Sequence, residues 1–521
     1  MRHDRTLLPS IALLALATMA RAQTAPKEVD AYVTQSLARF EQPGVAIAVV
    51  KDGRVVFQQG WGVIRLGEAA KVNEHTRFQV ASNTKAMTAA TIAMLVDEGK
   101  LGWDDPVADH LPWFRLGGDP YVSRELRVRD LLCHRSGLSL GAGDLLWFHS
   151  DYSTEEIVRR LRFIAPATSF RSSYAYDNVL YLAAGELVKA VTGRAWQDVA
   201  TDRILKPLGM NETAVGIDRV NLSDNVAYPH GRYGGKMQVI PFDSVLNTLA
   251  AGGVLASVSD WARWMQVQLD SGRTANGRLW SDRQTRVMWS PHINIGIGNP
   301  PPAFLPLRPN FLAYGLGWSL RDYRGLKVVT HDGGLAGMLS RTVLIPEKRL
   351  GIVVLSNGET LAFQALATWL TDYYLGAPRT DWSAAYAALG EQGQAADRAF
   401  EDSAQAARHR DIGPSLALAS YAGRYQDAWY GDVTVTVEDG HLVLHWSQSP
   451  ALTADLEHWQ YDTFRARMRV PNVADAFVSF TLKFDGTVDR MTLQPFLPST
   501  DFSFNYQDLL FRPVPATAAH P

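Results

Sequence analysis

The chain has 521 residues, 46% of them hydrophobic and 20% charged, and its 51 basic and 53 acidic side chains leave a formal net charge of −2. That composition describes a folded globular protein and excludes a disordered, a fibrous or a strongly basic nucleic-acid-binding chain. A single cysteine, Cys133, excludes an internal disulfide, and the length exceeds what one hydrophobic core organises, which predicts two folded units.

Residues 1–22 read as a secretory signal peptide. Arg2 and Arg5 precede an apolar stretch over residues 11–17, and the small-x-small triplet Ala20-Arg21-Ala22 supplies a cleavage site before Gln23. The mature protein is therefore expected in the periplasm or outside the cell, without stable membrane insertion.

Residues 23–377 mix strand-like and helical stretches, the pattern of an α and β domain around one core. Residues 44–50 and 54–57 are β-rich runs joined at Asp52-Gly53, a hairpin signal. Residues 341–345 and 351–355 form a second such pair around Pro346, and antiparallel pairing of the two hairpins closes one sheet. Between them, Ser82-Asn83-Thr84-Lys85 opens a run of small and apolar residues that ends at Gly99, as a buried helix would.

A serine on the first turn of that helix has Lys85 one turn later on the same face, within reach of the Ser82 hydroxyl. Shielded from water beside the positive end of a helix, such a lysine has a lowered pKa and serves as a base near neutral pH. S-x-x-K alone also fits a capping serine and a solvated lysine. Cys133 sits in apolar surroundings and reads as an inert buried thiol.

Gly137-Leu138-Ser139-Leu140-Gly141 is a literal G-x-S-x-G, but it follows a helix-like segment and runs into glycines, the wrong context for a nucleophile elbow. Tyr174, Tyr176, Asp177 and Asn178 form a polar, aromatic loop entering an apolar helix. The proline-rich stretch 298–309 is open to two readings, a wall of the substrate cleft or a surface loop. His331 ends a strand that runs into Gly333 and Gly334, where a backbone approaches a ligand. Residues 378–415 read as a helical linker, and 416–514 as period-2 strands with turns at Asp439-Gly440 and Asp485-Gly486, a small antiparallel β-barrel.

S-x-x-K at Ser82, Y-x-N at Tyr176 and H-x-G at His331, in that order, resemble the penicillin-recognising serine hydrolases: class C β-lactamases, D-alanyl-D-alanine carboxypeptidases, D-aminopeptidases and family esterases. The stretches around His134, Gly252-Gly253 and Tyr314-Gly315-Leu316-Gly317-Trp318 are similar to further family segments. The resemblance implies an α+β fold, a β-lactamase/transpeptidase-like domain with an antiparallel sheet flanked by helices, followed by an all-β domain similar to a lipocalin-like barrel.

It also implies roles. Ser82 attacks a carbonyl, Lys85 and Tyr176 share the proton traffic, and Asn178 orients Lys85 and substrate. The amides of Ser82 and Gly334 form the oxyanion hole, with Gly333 beside them. His331 stands where many β-lactamases carry the lysine of K-T-G, a permanent cation suited to a substrate carboxylate. Histidine there argues against an efficient β-lactamase and favours cleavage of amide bonds in short peptides or other small molecules, with ester hydrolysis next. Weak penicillin binding, a purely structural His331 and a non-catalytic binding protein stay open. Neither metal nor cofactor is expected, since the 13 histidines are scattered and no H-E-x-x-H or P-loop occurs. The barrel is expected to narrow the cleft and select short substrates.

Overall fold

The computed structural model describes residues 24–515, so the leader expected over residues 1–22 lies outside the described residues. An eight-stranded antiparallel sheet organises the larger domain, in the order Ile293–Asn294, Leu312–Tyr314, Ser319–Tyr323, Leu326–Leu335, Met338–Ile345, Leu350–Ser356, Gly44–Lys51 and Arg54–Gly62. Both hairpins expected from the sequence are present, and Gly44–Lys51 pairs with Leu350–Ser356, so the two ends of the domain meet in one sheet. Asp52 and Gly53 both have positive φ, the type I′ geometry that matches strand twist.

The central strands are apolar on both faces because both faces are covered. Val45, Ile47 and Val49 pack toward helices Lys27–Phe40, Ala362–Leu375 and Trp382–Ala407, whereas Ala46, Ala48 and Val50 pack toward the core around helices Lys85–Asp97, Val179–Thr192 and Val258–Leu269. The helix Trp382–Ala407 anchors by Trp382, Ser383 and Tyr386 and is otherwise largely exposed, as a connector should be.

The proline-rich segment does not wall the cleft. Its turn, Pro302–Leu307, buries Phe304 against Trp382 and Tyr386 on the outer side of the sheet. The apolar side chain among the prolines found the connector helix, and the cleft wall begins only at Leu312.

Eight strands from Gly423–Asp427 to Leu510–Pro513 pair in sequence order, and the last pairs with the first, closing the C-terminal barrel. Alternate residues such as Val433, Val435, Leu442, Leu444, Phe464 and Phe480 are buried, which is the period-2 signal realised. None of the described helices is long and apolar enough to cross a membrane.

Candidate active site

Ser82 lies on a 3₁₀ turn, Ala81–Thr84, that runs directly into the helix Lys85–Asp97. Three contacts fix the turn. Val80 N donates to Val254 O at 2.9 Å, Val254 N donates to Thr84 Oγ1 at 3.1 Å, and Asn83 Nδ2 donates to Ser340 Oγ at 2.8 Å. Ala81, just before the serine, has φ +48°, a left-handed conformation that a non-glycine residue holds only where its surroundings enforce it.

Lys85 is fully buried, and its ammonium donors are all used: Nζ lies 3.0 Å from Ser82 Oγ, 2.7 Å from Asn178 Oδ1 and 3.1 Å from Ala251 O. The rings of Tyr176 and Tyr181 enclose it, with centroids 4.9 and 5.2 Å away. Burial lowers its pKa to about 7, against the opposing charge of Asp144. Tyr176 moves the other way. Burial pushes its phenol well above the usual tyrosine range, the Ser82 hydroxyl being the chief opposing influence, so at neutral pH it is a protonated donor.

His331 projects from the strand Leu326–Leu335, which continues through both glycines rather than ending at them. Its Nδ1 lies 2.6 Å from Asp332 O and its Nε2 2.6 Å from the Tyr314 hydroxyl. A carbonyl only accepts, so Nδ1 carries the proton and Nε2 accepts from Tyr314. Burial, with the Lys85 charge next, lowers its pKa to about 3, so this imidazole is neutral across the working range.

Beyond Thr330 the strand pairs on one side only, with Met338–Ile345. Its other edge faces a cavity of about 530 Å³ lined by Ser82, Tyr176, Asn178, His331, Gly334 and Leu335. Such an edge accepts an extended chain by backbone hydrogen bonding. Gly333 approaches the Ser82 turn closely: a Cβ built there would stand 2.1 Å from Val80 O and 3.1 Å from Ser82 N. Gly334 has room and lines the cavity with Ser82.

The barrel reaches this cavity through one loop, which contributes Asp501, Phe502 and Ser503 to its lining. The Phe502 ring stands edge-on to Tyr176 with centroids 5.7 Å apart. All five residues predicted to carry the chemistry therefore meet in one place: Ser82, Lys85, Tyr176, Asn178 and His331.

A family profile described as Beta-lactamase matches residues 29–374. The chain belongs to the beta-lactamase family. A second profile, a Domain of unknown function (DUF3471), matches residues 407–513, which cover the barrel. Among relatives of this beta-lactamase-family chain, Unguisins hydrolase ungD of Aspergillus violaceofuscus is 29% identical over 84% of the chain and 82% of its own length. Penicillin-binding protein 4 of Amycolatopsis lactamdurans is 29% identical over 61% of the chain and 81% of its own length. In fold, the chain is similar to the octameric penicillin-binding protein homologue from Pyrococcus abyssi, with a TM-score of 0.57, 21% identity and coverage of 93% of this chain and 99% of that one.

Ser139 is not part of the beta-lactamase-family site. Its hydroxyl donates to Asp508 of the barrel at 2.9 Å, at the contact between the two domains. Cys133 is buried in the core, its thiol pushed up to about 12 by desolvation. Sequence reasoning missed Tyr314 as the partner of His331, His134, whose ring lies 4.2 Å from that of Tyr176, and the barrel residues Phe502 and Ser503. The first two stand in segments with a family likeness, which was the available signal. The last two carry none.

Proposed function

We propose that this protein is an exported serine hydrolase that forms an acyl-enzyme on Ser82 and cleaves amide bonds of short peptides. The observation that carries the reading is the 3.0 Å contact between Ser82 Oγ and a buried Lys85 amine whose pKa lies at about 7. Half-deprotonated at neutral pH, that amine is available as a base, while Tyr176, held protonated, is available as an acid.

In this mechanism Ser82 Oγ attacks the carbonyl carbon as Lys85 Nζ takes its proton, and the oxyanion receives hydrogen bonds from the amides of Ser82 and Gly334. Asn178 keeps the lysine aimed. The tetrahedral species collapses with a proton passed through Tyr176 to the leaving nitrogen, and water enters the vacated place to reverse the sequence and release the acid. Lys85 and Tyr176 serve that second half in exchanged roles.

Peptide rather than β-lactam substrates are favoured by His331, a neutral side chain already bonded to Tyr314 and Asp332 O, which offers no permanent cation to a carboxylate. The exposed strand edge suits an extended peptide, and Phe502 limits its length. The name of the ungD relative, a hydrolase of unguisins, supports the hydrolase class. Export rests on Arg2, Arg5 and the triplet Ala20-Arg21-Ala22.

Intact-mass measurement of wild type and Ser82→Ala after a fluorophosphonate, and separately after a penicillin, tests the reading. An adduct on wild type that is absent from Ser82→Ala is expected. Turnover of short peptide amides ahead of penicillins is expected as well. Labelling that survives Ser82→Ala refutes the nucleophile, and turnover of esters with none of any peptide amide, or faster turnover of penicillins, overturns the substrate class.

A further inference from the structure

The mechanism leaves unused a fully buried carboxylate that touches Asn178. Asp144 lies on the turn Asp144–Leu146. It accepts three hydrogen bonds: Oδ1 from Trp147 Nε1 at 2.8 Å, and Oδ2 from Asn178 Nδ2 at 2.8 Å and from Ser503 Oγ at 2.9 Å. Asn178 passes the contact on, since its Oδ1 accepts from Lys85 Nζ at 2.7 Å. A continuous polar chain thus runs from the barrel through Ser503, Asp144 and Asn178 to Lys85 and Ser82.

A carboxylate only accepts, whereas an amide does either according to which end it presents. By accepting from Nδ2, Asp144 fixes which way round Asn178 sits and leaves Oδ1 for the lysine. Were the amide reversed, Nδ2 would face the ammonium, donor against donor. A second consequence is electrostatic: an ionised Asp144, buried as Lys85 is, stabilises the protonated lysine.

We propose that Asp144 is a positioning residue that sets the orientation of Asn178 and the proton affinity of Lys85, and that Ser503 makes this carboxylate the point through which barrel docking acts on the chemistry. The inference rests on the assignment of Lys85 as base. The other titratable groups facing Lys85 are His134, His331, Tyr176 and Tyr181, each kept neutral at pH 7 by burial. Asp144 itself faces Asp177, whose carboxyl burial holds well above the usual carboxylate range. The lysine and Asp144 are thus the pair whose charge changes near neutrality, and burial raises Asp144 to about 7 in turn.

The barrel contact has more than one attachment. Asn505 Oδ1 accepts from Leu145 N at 3.4 Å, and Gly141 packs so closely on Phe502 that an added Cβ would stand 2.4 Å from its carbonyl oxygen. Ser503 alone is aimed at the buried carboxylate.

The test compares full-length wild type, Asp144→Asn and Ser503→Ala by fluorophosphonate labelling rate and by kcat and KM for a short peptide amide, from pH 5 to 9. For Asp144→Asn, kcat is expected to fall roughly tenfold to a hundredfold, within the range general-base contributions span. Its acid limb should move to lower pH, because removing the negative charge lowers the lysine's proton affinity. Ser503→Ala, a milder change that keeps the fold if Asp144→Asn does not, is expected to lower kcat severalfold with the same direction of limb shift and KM little altered. Wild-type labelling at Ser82 with unaltered rates and pH profiles in Ser503→Ala, and in Asp144→Asn where it folds, overturns the inference and leaves the Ser82 reading standing. Failure of wild type to label at Ser82 overturns that reading itself.

Discussion

Gly333→Ala tests whether the site depends on the distance between the His331 strand and the nucleophile's turn. The backbone at Gly333 is not left-handed, so alanine brings no conformational penalty, and the added methyl acts by its volume alone. That methyl would stand 2.1 Å from Val80 O and 2.4 Å from Ser340 Oγ, where a carbon needs roughly 3.5 Å. Strand and turn must therefore part by more than about 1 Å. Ser340 cannot yield freely, because its hydroxyl donates to Val80 O at 2.7 Å and accepts from Asn83 Nδ2 at 2.8 Å. Overpacking of this kind costs about 1–3 kcal/mol of stability, and a displacement of ~1 Å in a reacting geometry costs about a hundredfold in rate. Fluorophosphonate labelling of Ser82, followed by intact mass beside a thermal unfolding curve, reads both. Gly334→Ala is the control: its Cβ meets nothing closer than Leu339 Cδ2 at 3.4 Å and its N–H is kept, so its labelling should stay within severalfold of wild type. Wild-type labelling by Gly333→Ala, or equal losses in both variants, would falsify the argument that close approach at this one position sets the site.

The lowered pKa of Lys85 predicts that Ser82 labelling falls as pH drops through about 7, and that Lys85→Arg, which keeps the charge but does not release its proton, labels at no pH in the range; a limb centred above pH 9 refutes this. Because burial lowers that pKa from 10.5, the unfolded chain binds the extra proton between pH 7 and 10.5, and the residue's contribution to stability rises with pH across that window, measurable as the pH dependence of denaturation midpoints in wild type against Lys85→Met. Phe502→Ala opens the side of the cavity against Tyr176 and should lower KM for longer peptides more than for dipeptides; an unchanged length preference removes the barrel from substrate selection. Asp130, fully buried between Arg135 at 2.7 Å and Arg171 at 2.6 Å, accepts its other hydrogen bond from Arg127 N and is a stability site. Asp130→Asn should cost about 3 kcal/mol in urea unfolding while leaving the pH profile of labelling in place.

What the sequence made legible was whatever depended on near neighbours. Ser82 and Lys85 are one helical turn apart, and the two sheet hairpins carry their own turn residues, so spacing made them candidates, whereas Tyr176, Asn178 and His331 joined them through the resemblance carried by S-x-x-K, Y-x-N and H-x-G in that order. A mixed α and β domain followed from period-2 and helical runs, and the barrel from alternation between Asp-Gly turns, because each signal repeats within a few residues, whereas the β-lactamase-like arrangement of that domain came from the resemblance. Polar contacts across the fold have no such period. Tyr314 reaches His331 from two strands away in the sheet, and Ser503 reaches Asp144 from 359 residues away. Nothing in Gly141-Ala142-Gly143-Asp144 distinguishes a buried acceptor from a loop carboxylate until Asn178 and the barrel loop are both in place.

The proline-rich segment misled for a related reason. Stiffness is local, but the surface a stiff segment packs on is decided by one apolar side chain, here Phe304, and its distant partners Trp382 and Tyr386. The same logic bears on the two-domain design. The proposed nucleophile, base and acid, Ser82, Lys85 and Tyr176, come from one domain, whereas the groups that aim the lysine and bound the cleft come from both domains. Substitutions in the loop 501–505 should therefore alter rate, pH dependence and substrate length while the barrel's own strands, which touch none of the five catalytic side chains, tolerate exchange of apolar residues with effects on stability alone.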